Sequence, residues 1–437
     1  MTRIRILVFV AATAVAAASV LLGAALRGPA AGGAPAAQAG TDDRLQAGFA
    51  AGDTAALVRR LQLALRDHPR DVRGLDLLGL AYQQRARETG DPAYYGKSAG
   101  VLRQALRLAP RDLLATGGLG SLALSRHRFR EALALGKRAQ ALSPATARTY
   151  GVIGDALVEL GRYDAAFRAF DTMTRLKPSL AAYARVSYAR ELLGDVPGAR
   201  QSLELTLTSA IGEPEATAWT RVQLGKLDWS VGRLAAAARE YRAALRAFPG
   251  YVYALDALAQ VEAARGRLAH AIGLERAAVS RIPLPQFVAQ LGDLYRVDRR
   301  PALARRQYAL IAVIERLLRA NGVRTDLETA LFDVDRGIRL RHALSLARLA
   351  RAERPSIDGD DVLAWALARN GRCAEAERYS HRALRLGTRD ALKLFHRGMI
   401  ERCLGHGAAS RRLLRQALAL NPHFSLLWAP VARRALR

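Results

Sequence analysis

The stretch "HRGMIERCLGH" places His396, Cys403 and His406 within eleven residues, in steps of seven and three that bring them near one helical face. Imidazole and thiolate are zinc ligands, and a closed zinc site takes four. His406 falls in the turn after Gly405 and a fourth ligand is not evident, so scattered surface or core side chains are the stronger reading and no metal is expected. The acidic run "SIDGDD" (356–361) lacks calcium-loop spacing and reads as the cap of the helix that follows. A P-loop, Gly-x-Ser-x-Gly, His-Glu-x-x-His and a Gly-rich dinucleotide turn are all missing from the sequence, so no catalytic residue and no cofactor is assigned. Cys373 and Cys403 are too few for a disulfide framework, and whether they form one bridge stays open because nothing in the sequence fixes their separation.

The elements that would carry such groups are helical. Hydrophobic residues reach 51% while aromatics are only 6%, and stretches rich in Val, Ile and Thr are nearly absent, which favours close-packed helices over sheets. A chain of 437 residues is too long for one ordinary core, but a stacked array extends freely because each unit touches its neighbours. The formal net charge of +28, from 67 Lys and Arg against 39 Asp and Glu, is explained most simply by solvated arginine-rich helix faces. It still biases binding toward acidic proteins, anionic lipid head groups or anionic polymers, in a salt-sensitive way.

Residues 1–26 read as a signal peptide or signal anchor: Arg3 and Arg5 precede an uncharged apolar run over 6–26, long enough to span a bilayer as a helix. An Ala/Gly/Pro linker occupies 27–40, and Ala37-Gln38-Ala39 offers a cleavage site after Ala39. Retention gives a single-pass membrane protein and cleavage a secreted one. Both place the remainder outside the cytoplasm.

From there a period of about 34 residues organises the chain. Pro110, Pro144 and Pro178 are 34 apart, as are Pro249 and Pro283. Within the period a glycine recurs as Gly79, Gly120, Gly154, Gly225 and Gly292, and an alanine follows twelve later, at Ala132, Ala166, Ala237, Ala271 and Ala304 among others. A second glycine, at 161, 194, 232, 266, 371 and 405, is placed to end one helix in left-handed geometry and turn the chain. The small residues let two antiparallel helices approach, Phe170 and Tyr241 are expected to fill the gap between one pair and the next, and the prolines close each unit. Such a period is the signature of a repeat array.

Tyr150, Ile153, Gly154, Leu157, Ala166, Phe170 and Pro178 make the unit from Ala147 nearly complete, and the pattern resembles the tetratricopeptide repeat. The resemblance implies an all-α, right-handed solenoid of about ten helix pairs over 72–422, preceded by a degenerate repeat at 41–71. An insertion around "RETGDPAYYG" and a long helix at 305–325 interrupt it, and 423–437 is expected to form a C-terminal capping helix over the last apolar face. It also implies a non-catalytic scaffold whose first helices line a concave groove for a protein or peptide. On the repeat register the groove residues are Tyr188, Trp219, Lys226, Asp293, Asp361, Trp365 and Phe395, with inter-repeat core as the competing role for Trp219, Trp365 and Phe395. The lysine–asparagine clamp that some such repeats use for carboxyl-terminal peptides does not match at Gly117, Ser121, Gly151 and Asp155. Nucleic acid is not the expected partner, since export removes RNA. The alternative function is a cell-envelope assembly factor that holds an anionic polymer or lipid on its basic surface.

Overall fold

A computed structural model describes residues 54–437. The segments read as export signal and linker lie outside the described residues, as does part of the degenerate repeat. Twenty-two α-helices and no strand occur among the described residues. Helix α1 (Thr54–Asp67) precedes ten pairs. The first five are α2 (Val72–Thr89) with α3 (Ala93–Leu108), α4 (Leu113–Ser125) with α5 (Phe129–Leu142), α6 (Ala147–Glu159) with α7 (Tyr163–Leu176), α8 (Leu180–Leu192) with α9 (Val196–Ser209), and α10 (Pro214–Ser230) with α11 (Leu234–Ala247). The next five are α12 (Val252–Ala264) with α13 (Leu268–Arg281), α14 (Pro285–Val297) with α15 (Pro301–Ala320), α16 (Asp326–Arg336) with α17 (Leu340–Glu353), α18 (Ile357–Arg369) with α19 (Cys373–Ala383), and α20 (Ala391–Cys403) with α21 (Gly407–Leu420). A seven-residue helix, α22 (Ala429–Ala435), ends the chain. No described helix is long and apolar enough to cross a membrane.

The first glycine of each unit is a notch. A Cβ on Gly154 would collide with the ring of Phe170, one on Gly225 with Tyr241, and one on Gly292 with Tyr308. These rings therefore fill the notch of their own pair, which corrects the expectation that they wedge between pairs. Sixteen residues separate each glycine from its ring, the distance from one helix across the turn to the facing position on the next.

Gly120 departs from the rest of its class. Sixteen residues on stands Gly136, so no ring of its own pair fills the notch. A Cβ on Gly120 would instead lie 3.0 Å from Val152 of α6, and one on Gly136 would lie 2.8 Å from Ile153 of the same helix. Here two glycines also seat the next pair, beyond the crossing within their own. Within its own pair a Cβ on Gly120 would lie 3.6 Å from Leu135 Cβ and 3.9 Å from Ala132 O, so Gly120 faces both crossings and is tightest against α6.

All six predicted turn glycines have positive φ, from 69° at Gly161 to 82° at Gly405. Where glycine is missing from that slot, His127 (φ 55°) and Arg299 (φ 57°) adopt the left-handed backbone instead.

The array coils far enough to meet itself. The turn within each of the first five pairs rests on the linker that follows the pair five further on. Gly90 faces Ile282 and Leu284. The main chain of Arg126 accepts from the N–H of Arg324 at 3.1 Å, and Arg128 Nε donates to Gly322 O at 3.0 Å. Gly161 lies against Pro355 O, and the Tyr163 hydroxyl accepts from the N–H of Ile357 at 2.8 Å. Thr388 donates to Leu192 O, while Asn421 Nδ2 donates to Trp229 O at 2.7 Å. The 20-residue α15 leads into Gly322, whose carbonyl accepts from Arg128 of the first layer. At the centre of this seam Arg354 is buried between Glu159 of the first layer and Glu328 of the second. Burial pushes the Glu159 carboxyl up to about 7 even though Arg354 pulls it down.

Gly161 and Gly266 share left-handed backbone, but only Gly161 touches the other layer. Gly266→Ala is therefore expected to cost about 1 kcal/mol, and Gly161→Ala about 3 kcal/mol, because a methyl at 161 also drives the layers apart. Denaturant unfolding of the two variants side by side checks this, and equal losses would remove the seam from the account.

Candidate functional site

The concave face is formed by the first helices of successive pairs, and much of it is occupied by the protein itself. Arg185 of α8 makes a two-pronged ion pair with Asp155 of α6, at 2.9 and 2.6 Å. Arg336 of α16 clasps Asp293 of α14 at 3.1 and 2.5 Å. Trp365 Nε1 of α18 donates to Asp335 of α16 at 3.0 Å. His396 of α20 is bonded to Asp361 of α18 at 2.9 Å, and Lys393 lies 2.8 Å from Asp358 and 3.4 Å from Asp390. Each rung joins one first helix to the next, so the ladder holds the curvature from inside.

This ladder sorts the predicted groove residues. Asp293, Asp361, Trp365 and Phe395 are all buried, between 0% and 3% exposed, and do not face an open groove. The two carboxylates are paired, and the two rings take the core role that the register left open for them. Trp219 is buried too, at 4% exposed, and takes part in the core, but with Tyr188 and Lys226 it also meets open space. These three line one cavity of about 140 Å³, with Glu191 from the first layer and Asp256, Arg389, Lys393, Asn421 and Phe424 from the second. Glu191 lies one helical turn beyond Tyr188 and was within reach of the register argument. The second-layer residues were not, because only the coiling brings them here.

The cavity mixes charges at close quarters. Burial raises Glu191 to about 7, against the pull of Lys226 and with Asp390 pushing the same way, so its charge changes near neutral pH. Burial also holds the Tyr188 phenol protonated. The arrangement offers hydrogen bonds, one exposed cation in Arg389 and an aromatic floor, which suits grip rather than bond-making.

The three residues with zinc-like spacing are not brought together. His396 is buried on Asp361, Cys403 is bridged to Cys373 with Cα atoms 6.1 Å apart, and His406 bonds Glu401 at 2.7 Å. Glu377, Glu401 and His406 do cluster, each offering a ligand atom within 4.8 Å of the others. Arg397 already pairs with Glu401 and lies 3.7 Å from Glu377, so a cation there would meet a guanidinium. The bridge ties the start of α19 to the end of α20.

Charge is segregated by depth. Seventeen Asp and Glu residues are buried among the described residues but only five Lys and Arg residues, with the side chain of Arg336 buried besides, so the surface is more basic than the sequence total implies. Exposed arginines occur on six of the second helices, at 168 (α7), 239 (α11), 276 (α13), 306 (α15), 378 (α19) and 412 (α21).

Three stretches, residues 86–147, 152–214 and 222–284, match the family model described as the tetratricopeptide repeat. No curated protein matches the chain. Among solved structures, a thermophilic TPR protein of Thermus thermophilus is 25% identical, covers 44% of this chain and 98% of its own, and superposes with a TM-score of 0.38. The human IFIT1 dimer with m7Gppp-AAAA is 14% identical over 76% of this chain and 77% of its own, at a TM-score of 0.47. The Cut9–Hcn1 hetero-tetramer is 13% identical over 90% and 95%, at 0.38.

The ladder makes a stability prediction. Asp155→Ala leaves Arg185 buried without its partner and is expected to cost about 3–5 kcal/mol, whereas the double change Asp155→Leu with Arg185→Met costs less than the single one. Thermal and denaturant unfolding of both variants reads the difference directly.

Proposed function

This chain is a tetratricopeptide-repeat protein, and we propose that it acts as a non-catalytic scaffold that holds an acidic protein or peptide segment outside the cytoplasm. The observation that carries the proposal is the segregation of charge: carboxylates turned inward and arginines outward create a field that draws acidic partners over the surface. The cavity at Tyr188, Trp219 and Lys226 is where such a segment gains hydrogen bonds and an aromatic contact. The apolar run over 6–26 supports export by anchor or signal, and the Cys373–Cys403 bridge fits an oxidising compartment.

A second reading rests on the exposed arginines of the second helices, which fit an anionic polymer or lipid surface. The two readings part on Tyr188. Its loss weakens a segment held in the cavity but leaves vesicle or polymer binding unchanged.

A glutamate-rich fluorescent peptide tests the first reading. Its binding to the full chain is expected to weaken steeply between about 50 and 300 mM salt. Below pH 7 Glu191 gains its proton and the cavity loses a negative charge, so binding is expected to be about threefold tighter at pH 6 than at pH 8. Glu191→Gln flattens that profile, and Lys226→Ala weakens binding at both values. No binding at low salt contradicts the proposal.

A further inference from the structure

Residues 421–428 run along the concave face instead of capping the last pair. A cap would touch only α20 and α21. This segment reaches first helices of four pairs and one turn of the first layer. Trp428 Nε1 donates to Asp335 of α16 at 3.0 Å, its ring lies 5.4 Å from Trp365 of α18 and 5.6 Å from Phe395 of α20, and Arg369 sits 5.2 Å over its face. Phe424 is 1% exposed and packs tilted against Phe395, ring centroids 5.5 Å apart, while closing one wall of the cavity. Leu426 packs on the cluster that includes Leu291 and Leu294 of α14. The expectation of a helix over the final apolar face is met only by the short α22, whose Ala429 and Ala432 are buried.

A peptide lying across first helices, with ring anchors in pockets, is how a groove holds a ligand. We infer that the concave face of the last four pairs is a docking surface for a segment carrying two aromatic anchors four residues apart, the second with an N–H donor. The chain's own Phe424 and Trp428 fill it in cis. The occupant's chemistry is set by the surface. Asp335 accepts one N–H from Trp365 and one from Trp428, so it requires a donor at that place. Arg369 covers the outer ring and favours an aromatic face. A partner of the same pattern binds only when the tail leaves, so its apparent affinity is reduced by the fraction of molecules with the tail out. This surface adjoins the cavity, with which it shares Phe424, but its probe carries no acidic residue and its test does not rest on the acidic-segment reading.

The probe is a fluorescent peptide of residues 421–437, titrated onto the full chain and onto the full chain with Phe424→Ala and Trp428→Ala, the fold being checked by circular dichroism. The double variant is expected to bind about tenfold or more tightly than the unchanged chain, because the competing occupant is gone. A peptide carrying Trp428→Ala is expected not to bind. Full-chain Trp428→Phe keeps the ring but loses the N–H to Asp335, and is expected to bind the wild-type peptide at an intermediate level. Equal binding by all chains, or none by any, overturns the inference. Loss of the folded state in both variants overturns it too, because a segment that cannot leave is core and not an occupant.

Discussion

Turn meeting linker is the contact on which the rest of the molecule depends. Each pair adds a small rotation, and after five pairs the chain has come round so far that Gly161 lies on Pro355, and a Cβ on Gly194 would lie 2.6 Å from Gly387 O. Only residues without side chains tolerate that approach together with a φ near +70° to +80°. The pair geometry feeding this closure is set by the notches, where the absence of a Cβ at Gly154, Gly225 and Gly292 seats a ring of the facing helix. A substitution in either glycine class alters the curvature as well as the local packing.

Closure decides where charge can go. Once two layers are stacked, the inner face loses water, and a charged group there is tolerated only with a partner. The Asp155–Arg185, Asp293–Arg336 and Lys393–Asp358 pairs meet that requirement and link consecutive first helices. Most cations stay outside, which leaves a basic exterior around a neutralised interior. What remains open inside is the cavity at the junction of the layers, where residues from both coils meet. Binding at that place reads the closed state, because neither layer alone supplies the wall.

The repeat was legible because it is local. A glycine that ends a helix, an alanine at a crossing and a proline that stops a unit each act within a few residues, and Gly161, Ala166 and Pro178 declare themselves at fixed spacing. The six turn glycines have the backbone that their positions required. His127 and Arg299 escaped notice because they hold the same backbone without the residue type that signals it. Gly120 shows the converse, a residue in the right slot whose tightest contact is with the next pair, its facing position holding Gly136 and not a ring. The seam was not legible: residues about 195 apart meet only through the sum of many small rotations, and Glu159 carries no mark that Arg354 will reach it. Trp365 and Phe395 were placed on the correct helices, but whether that face is open depends on Trp428, sixty-three residues beyond Trp365 in the sequence. The spacing of Cys373 and Cys403 likewise became a bridge only when α19 and α20 lay side by side.

The most direct measurement of the central claim is the distance across the seam in solution. Spin labels on Arg162 of the first layer and Arg385 of the second, both exposed, report it by pulsed electron resonance. A coil that meets itself gives one narrow distribution under about 25 Å, whereas an open array of the same pairs, each about 10 Å across, separates the labels by about 50 Å. A short, narrow peak that broadens in the Gly161→Ala chain is the result this structure requires. A single long distance in the unmodified chain would contradict it.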